Sequence, residues 1–273
     1  MKKVTAIAAT VLTVAAATTF LFYGTMDSNA KPKNTSIKAQ LKTDNLDDNQ
    51  LIKSKMLNAI HLYKDVQGSF KHVTPNRNIL VEFQVQEGEN PYSYVKVKDK
   101  KNEVTKEILS DEETILTLYP QESAYKEIKK SAMKPEKVNQ FASPSDKVKD
   151  GKTIKKLRPD PASTFDAQIV TYPQQIAFWL DDNEQNYEVT GNESFLDREA
   201  TVIEGKLLDD LSQKFRAENF KMWVDTETGV LLKLITTTEN GEETSLIEVQ
   251  EIEFDKGIKK KKDVSGNKSY KKL

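Results

Sequence analysis

Side chains able to carry out chemistry are scarce in this chain, so each candidate can be weighed singly. Two histidines and no cysteine occur in 273 residues. That removes thiol catalysis, thiolate zinc sites and any disulfide framework at once. His61 falls in a helical apolar pattern and His72 in an alternating one. Neither has a second His or a Glu at ligand spacing, so both read as ordinary helix and sheet residues. The sequence holds no G-x-S-x-G elbow, no S-x-x-K followed by its partner motifs, and no glycine-rich phosphate loop. Ser212 has no base nearby in sequence. Asp181-Asp182-Asn183-Glu184 has the composition of a calcium loop but lacks alternate-position ligands, a central Gly and a distant Glu, and reads as a solvated turn. Acidic residues suited to glycoside hydrolysis are plentiful, yet Trp179 and Trp223 are the only tryptophans to serve as sugar platforms. No catalytic residue, metal or cofactor is assigned, and the chain reads as a non-enzyme.

Charge narrows the choice further. Lys and Arg number 41 against 42 Asp and Glu, and Lys far outnumbers Arg. A polybasic nucleic-acid binder is excluded, and most forked phosphate readers with it.

Residues 1–30 stand apart. Lys2 and Lys3 precede an uncharged run, Val4 to Tyr23, and Ser28-Asn29-Ala30 places small residues before a plausible cleavage point. The run is long for a signal core and just long enough to span about 30 Å of hydrocarbon. A cleaved signal peptide and a retained membrane anchor both stay open. Either places the rest outside the cytoplasm, secreted or held on the outer face of the cytoplasmic membrane. Residues 31–46 read as a flexible linker, and 259–273 as a basic, disordered tail with anionic membrane binding as its lesser reading.

Between these lie the elements that would have to position any site. Asp47 opens a predicted helix whose stripe Ile52, Met56, Ala59, Ile60, Tyr63 and Val66 runs to a stop at Gly68. Strict alternation in Ile79–Gln86 and Tyr92–Lys98 predicts half-buried antiparallel strands, followed by Val104–Leu109, Thr114–Tyr119 and an edge strand over Ser123–Ile128. Prolines at 135, 144, 159 and 161 mark 129–163 as an exposed excursion. Short helices are expected over Pro173–Leu180 and Leu207–Phe215, with strands at Gln185–Thr190 and Asp197–Gly205. Two hairpins close the domain, one through Thr226–Gly229 and one through Asn240-Gly241, for which a type I′ turn is expected. Apolar parity shifts between Val249 and Ile252, which predicts a bulge. The pattern is mainly β (α+β): one curved antiparallel sheet of about ten strands, residues 47–258, covered by a few helices.

Three segments carry a resemblance. SDEETILTLYP at 110–120, DREATVIEGKL at 197–207 and above all FKMWVDTETGVLLKL at 220–234 are similar, in order and spacing, to the bacterial lipoprotein-carrier (LolA-like) superfamily and the related sigma-E regulatory protein RseB. Asp197 stands where relatives tend to have Gly, and Glu112 follows Asp111 where they have Gly. The carrier's acyl-gripping Arg has no match; Arg77 falls in a turn. The resemblance implies a half-open barrel with a hollow that accepts acyl chains or senses a peptide or lipid signal. On it, the expected ligand cavity comprises Phe83, Val85, Leu116, Leu118, Met222 and Val224 from the sheet and Ile176, Phe178 and Trp179 from the cover. The expected partner is a lipid or an acylated protein. The alternatives are an RseB-like module docking on a membrane-bound regulator, and a hydrolase hidden in 129–163.

Overall fold

The computed structural model describes residues 48–130, 157–180, 186–261 and 270–273, with the backbone of 147–149 and 152–154. The apolar leader, the linker and the acidic cluster at 181–184 lie outside these. Among the described residues, no helix is long and apolar enough to cross a membrane.

Helix α1 (Asp48–Asn58) turns once more as a 3-10 helix (Ala59–His61) and ends well before Gly68. The predicted stripe is buried throughout, but Val66 belongs to a strand. Strands β1 (Asp65–Thr74), β2 (Arg77–Gln86), β3 (Tyr92–Asp99), β4 (Val104–Ser110), β5 (Thr114–Tyr119) and β6 (Ala124–Lys129) form a meander. A separate small hairpin joins β7 (Lys147–Lys149) and β8 (Lys152–Ile154). The cover comprises residues 157–180, with a 3-10 turn (Phe165–Ala167), α2 (Gln168–Thr171) and α3 (Gln174–Ala177). Strands β9 (Tyr187–Phe195) and β10 (Arg198–Lys206), helix α4 (Asp209–Phe215), and strands β11 (Asn219–Asp225), β12 (Leu231–Thr237) and β13 (Glu243–Phe254) follow. A last short strand, β14 (Lys271–Lys272), pairs in parallel with β6. The single sheet therefore has 12 strands in the order β14-β6-β5-β4-β3-β2-β1-β13-β12-β11-β10-β9. It is open, since its two edge strands are β14 and β9, and its seam is the pairing of β1 with β13.

The predicted bulge is present at that seam. Phe70 pairs with Val249 and Ser69 with Glu251, leaving Gln250 as the extra residue. The consequence falls on Gly68. A Cβ there would lie 2.2 Å from the Glu251 carbonyl oxygen, so the strands approach more closely than any side chain permits. Gly68 is thus a strand residue under a bulge, not the helix stop read from the sequence.

Two turns depart from expectation for conformational reasons. At Asn240-Gly241 the chain makes a turn closed by Gly241 N–H donating to Thr238 (3.0 Å), with Gly241 at φ 83° and Thr238 N–H donating to Glu242 (2.9 Å). That is a type I turn with a glycine bulge, not type I′. The tight two-residue turn sits instead between β9 and β10, where Leu196 (φ 52°) and Asp197 (φ 58°) are both left-handed. Asp tolerates that conformation, which accounts for its standing where Gly is usual.

Candidate functional site

Register decides which expected residues share a face. Val66, Gly68 and Phe70 of β1 lie opposite Val85, Phe83 and Val81 of β2, and Phe83 opposite Val95 of β3; these face inward. Met222 and Val224 point inward too, across from Leu234 and Leu231. Phe83, Val85, Met222, Val224, Ile176 and Trp179 are all buried in one core, with Phe178 packed at its border. Leu116 and Leu118 are not with them. Leu116 pairs with Leu109, and Leu118 with Glu107, on the outward face of β4 and β5. Strand β5 is apolar on both sides, so alternation alone could not tell which face was which.

Inward, the hollow is filled by the chain itself. Helix α1 packs on α3, α2 on β12, and the 3-10 turn of the cover on β2 and β3. Val170, Tyr172, Ile176, Trp179 and Leu180 bring the cover's apolar underside onto the sheet. Its rim is polar. Arg158 donates to the Asn58 side-chain Oδ1 (2.8 Å) and to the backbone carbonyl of Leu57, a C-terminal acceptor of α1. Gln174 bonds both the N–H and the carbonyl of Arg158 (2.9 and 3.0 Å), tying the cover's ends together. Ser93 Oγ donates to the Ala162 carbonyl (2.8 Å), Tyr63 OH to that of Thr171 (3.1 Å), and Lys130 Nζ to that of Pro161 (3.1 Å). Asp166 receives Arg77 at 2.6 Å and pairs with Lys106. Burial pushes the Asp166 carboxyl up, but the two cations outweigh it and hold it below its ordinary range.

The seam beneath Arg158 concentrates buried titratable groups. Glu87 stands well above the usual carboxylate range, through burial and then the neighbouring Asp160 charge, with Lys130 opposing. Asp160 is likewise raised by burial, against hydrogen bonds from Thr164 and Ser163. Burial pushes Lys130 down and Tyr172 up to about 12. Glu87 Oε1, Arg158 Nε, Tyr172 OH and Ser110 Oγ are buried without a hydrogen-bond partner among the described residues. Sequence reasoning missed this seam because it took 157–163 as exposed. The available signal was Asp160 followed by Ser163 and Thr164, an aspartate that caps its own turn through their N–H groups (3.0 and 2.8 Å). His61 and His72 sit on separate elements, and no group of three His, Asp or Glu among the described residues could hold a metal.

The motifs behind the family resemblance have a structural explanation. Asp225 is 1% exposed. It accepts from Thr228 N–H (2.8 Å) and Thr228 Oγ1 (2.7 Å), fixing the turn. Arg198 meets the same carboxylate from β10, with one contact at 3.1 Å. Gly229 (φ 72°) brings the turn against α1, where a Cβ would lie 2.3 Å from the Lys55 carbonyl carbon. Asp-x-x-Thr-Gly and the Arg of Asp-Arg-Glu-Ala thus fix the turn that meets helix α1, while the motif's Trp223 donates to Glu193 of β9 (2.8 Å).

Outward, Tyr92, Tyr94, Leu109 and Leu118 form a second apolar cluster, bordered by Leu116, Tyr125, Ile258 and Tyr270. Beside it runs a groove of about 610 Å³, floored by β13, β1, β2 and β3 and walled by the Leu196-Asp197 turn and Lys261. The tail expected to be disordered from residue 259 therefore contributes to the outer face.

No family model matches the sequence, and no curated protein matches it significantly. Solved structures similar to the chain include MucB in complex with MucA(peri), at 14% identity, 79% of this chain, 58% of that one and TM-score 0.44. The Pseudomonas aeruginosa MucA/MucB complex is similar at 14% identity, covering 76% of this chain and 58% of that one, with TM-score 0.43. Lipoprotein LppX of Mycobacterium tuberculosis is similar at 9% identity, covering 78% and 99%, with TM-score 0.40. The chain thus spans less than two thirds of MucB. At this distance no ligand, partner or activity passes from these proteins to this chain.

Proposed function

We propose that residues 47–258 form an extracytoplasmic, non-enzymatic binding domain that takes an acyl chain, from a lipid or an acylated protein, between the inner face of the sheet and the cover. The cover at 157–180 yields to the ligand. The observation that carries this reading is the contrast between the cover's two sides: an apolar underside on the core, and a rim where buried polar groups have no partner among the described residues. Each such group offsets stabilisation by about 1–3 kcal/mol, which makes the cover a weakly held part of the core. A chain of a dozen methylenes gains on the order of 10 kcal/mol on burial, at about 0.8 each. The five large apolar side chains of the cover gain a similar sum, at about 1.5–3 kcal/mol each. The two are near balance, so the ligand displaces the cover rather than entering an existing void. In this reading Phe83, Val85, Met222 and Val224 line the hollow and Ile176, Phe178 and Trp179 are the displaced lining. Leu116 and Leu118 have no part in it. Native mass spectrometry with lipid extraction, on protein taken from its own cell envelope, is the test. A co-purifying acyl species of defined mass is expected. A cooperatively folded protein that is empty, and remains empty after incubation with mixed envelope lipids, refutes it.

A second reading, a module docking on a membrane-bound regulator, is favoured by β9. This nine-residue strand ends the sheet, with its outer backbone edge unpaired among the described strands. An extended segment of the regulator would add there as a further strand. Crosslinking in intact cells that returned no membrane protein would count against it.

A further inference from the structure

The outer face of β3–β6 is apolar where the solvent face of an antiparallel sheet is ordinarily charged. The chain's own C-terminal residues cover it. Ile258 and Tyr270 pack on its edge. Lys261 Nζ stands 3.9 Å above the Tyr94 ring, and Lys261 N–H donates to Tyr92 OH at 2.8 Å. Lys260 Nζ lies 5.3 Å from the Tyr92 ring. Further on, Lys271 N–H and Leu273 N–H donate to the carbonyls of Ser123 (2.9 Å) and Tyr125 (2.8 Å), extending the sheet by two residues. Lys272 meets Glu127 at 2.7 Å, with both side chains about half exposed. The occupant is thus an extended, lysine-bearing segment with an occasional apolar side chain.

The described residues of this segment do not use the whole surface. The groove of about 610 Å³ continues from Lys261 across β2, β1 and β13 to the Leu196-Asp197 turn. Four carboxylates line it, Glu82, Asp197, Glu251 and Glu253, against two lysines. Glu82 is engaged by Lys98 and Lys96, while Glu253 accepts from Gln67 at 2.8 Å. The surplus of carboxylates suits a basic occupant longer than the one present.

We propose that this face, from the β9–β10 turn to the β6 edge, is a binding site for an extended, lysine-bearing polypeptide segment of a partner protein, and that the chain's own C-terminal segment occupies half of it as a stand-in. The recognition elements are the aromatic faces for ammonium groups, the β6 edge on which β14 now pairs for backbone, and the groove carboxylates for additional lysines.

The test uses the full chain carrying Ile258→Asp and Tyr270→Asp, with a labelled synthetic peptide of residues 256–273. Hydrogen exchange at the amides of Lys271 and Leu273 reports whether the segment has left. Release is expected, with at least tenfold tighter peptide binding than the unmodified chain shows. Adding Tyr94→Ala should reduce that binding at least tenfold, and a peptide lengthened by three lysines should bind at least tenfold tighter than the 256–273 peptide unless Glu251→Lys with Glu253→Lys is added. Self-association of the unmodified chain that Tyr94→Ala removes also supports the site, and names a second copy as the source of the segment. Three results overturn the proposal: release without peptide binding, binding indifferent to both sets of substitutions, or amides as protected as before, which would make the segment an integral part of the fold.

Discussion

Replacing Arg158 by Met tests whether the cover opens as a unit. The substitution keeps an apolar stem in place of the guanidinium arm and removes its two bonds to the end of α1, those to Asn58 Oδ1 and the Leu57 carbonyl. Hydrogen bonds from a charged donor contribute about 1.5–3 kcal/mol each, so the gross loss is roughly 3–6 kcal/mol. Against this, Arg158 Nε is buried without a partner. Removing it returns roughly 1–3 kcal/mol. The net cost is about 2–3 kcal/mol, which at about 1.4 kcal/mol per tenfold is a factor of roughly 30 to 150. That factor should appear in hydrogen exchange at the cover amides of Tyr172, Ala177 and Phe178, which donate to the carbonyls of Gln168, Pro173 and Gln174. Amides of β2 and β3 should keep their protection, because the opening leaves the sheet paired. If cover and sheet amides accelerate together, the cover is inseparable from the global fold. If neither changes, Arg158 is not its latch. Either result refutes the reasoning behind the proposed hollow.

Titration of buried groups gives opposed signs at acid pH. Glu87 has a folded value above its ordinary 4.5, so the folded state binds the extra proton, and its contribution to stability is lost as pH rises through that window. Glu87→Gln should abolish this gain on acidification, as thermal unfolding followed from pH 7 down to pH 5 would reveal. His72 runs the other way: burial holds it at about 4 against 6.5, so stability is lost as pH falls across that interval. His72→Gln should recover up to about 3 kcal/mol near pH 4, at 1.36 kcal/mol per unit, in chemical denaturation. Gly68→Ala puts a methyl into the Glu251 carbonyl and should cost about 2–3 kcal/mol, while Gly88→Ala, with open space around its Cβ, should cost less despite its φ of 92°. Equal losses in the two would remove the close approach from the account of the bulge.

Much of the sheet was readable because its strands alternate cleanly. Ile79, Val81, Phe83 and Val85 give β2 away, and the parity shift from Val249 to Ile252 announces the bulge. Strand β1 was not readable as far back as Asp65, because Tyr63 and Val66 continue a helical spacing by coincidence after the backbone has become extended. The outer cluster escaped for a different reason. In Thr114–Tyr119 both Ile115 and the pair Leu116 and Leu118 are apolar, and which of them meets solvent depends on Ile258 and Tyr270, more than a hundred residues away. The seam at Glu87, Arg158 and Asp160 was hidden by composition, since charged residues among prolines look exposed until a cover folds them under.

Both apolar faces of this sheet are covered by its own chain, and the two coverings are held by different forces. The inner cover is closed around buried carboxyls, Glu87 and Asp160, whose protonation changes the cost of keeping it shut. Salt scarcely reaches such groups. The outer segment is held by exposed lysines, among them Lys272 on Glu127 and Lys261 over Tyr94, and burial contributes little to the Lys272 contact. Raising salt to about 1 M shortens the screening length to about 3 Å and should loosen it, since surface pairs are worth little to begin with. Hydrogen exchange on one sample therefore separates them. Salt at constant pH should expose the Lys271 and Leu273 amides and leave Tyr172, Ala177 and Phe178 protected. With His61→Gln and His72→Gln in that sample, so that no buried imidazole opposes the change, lowering the pH from 7 to 5 at constant salt, after correction for intrinsic exchange, should strengthen protection at those cover amides with no gain at the C-terminal ones. Movement of both sets under either change would mean that the two faces are one cooperative unit, and the two proposed sites could not then be occupied independently.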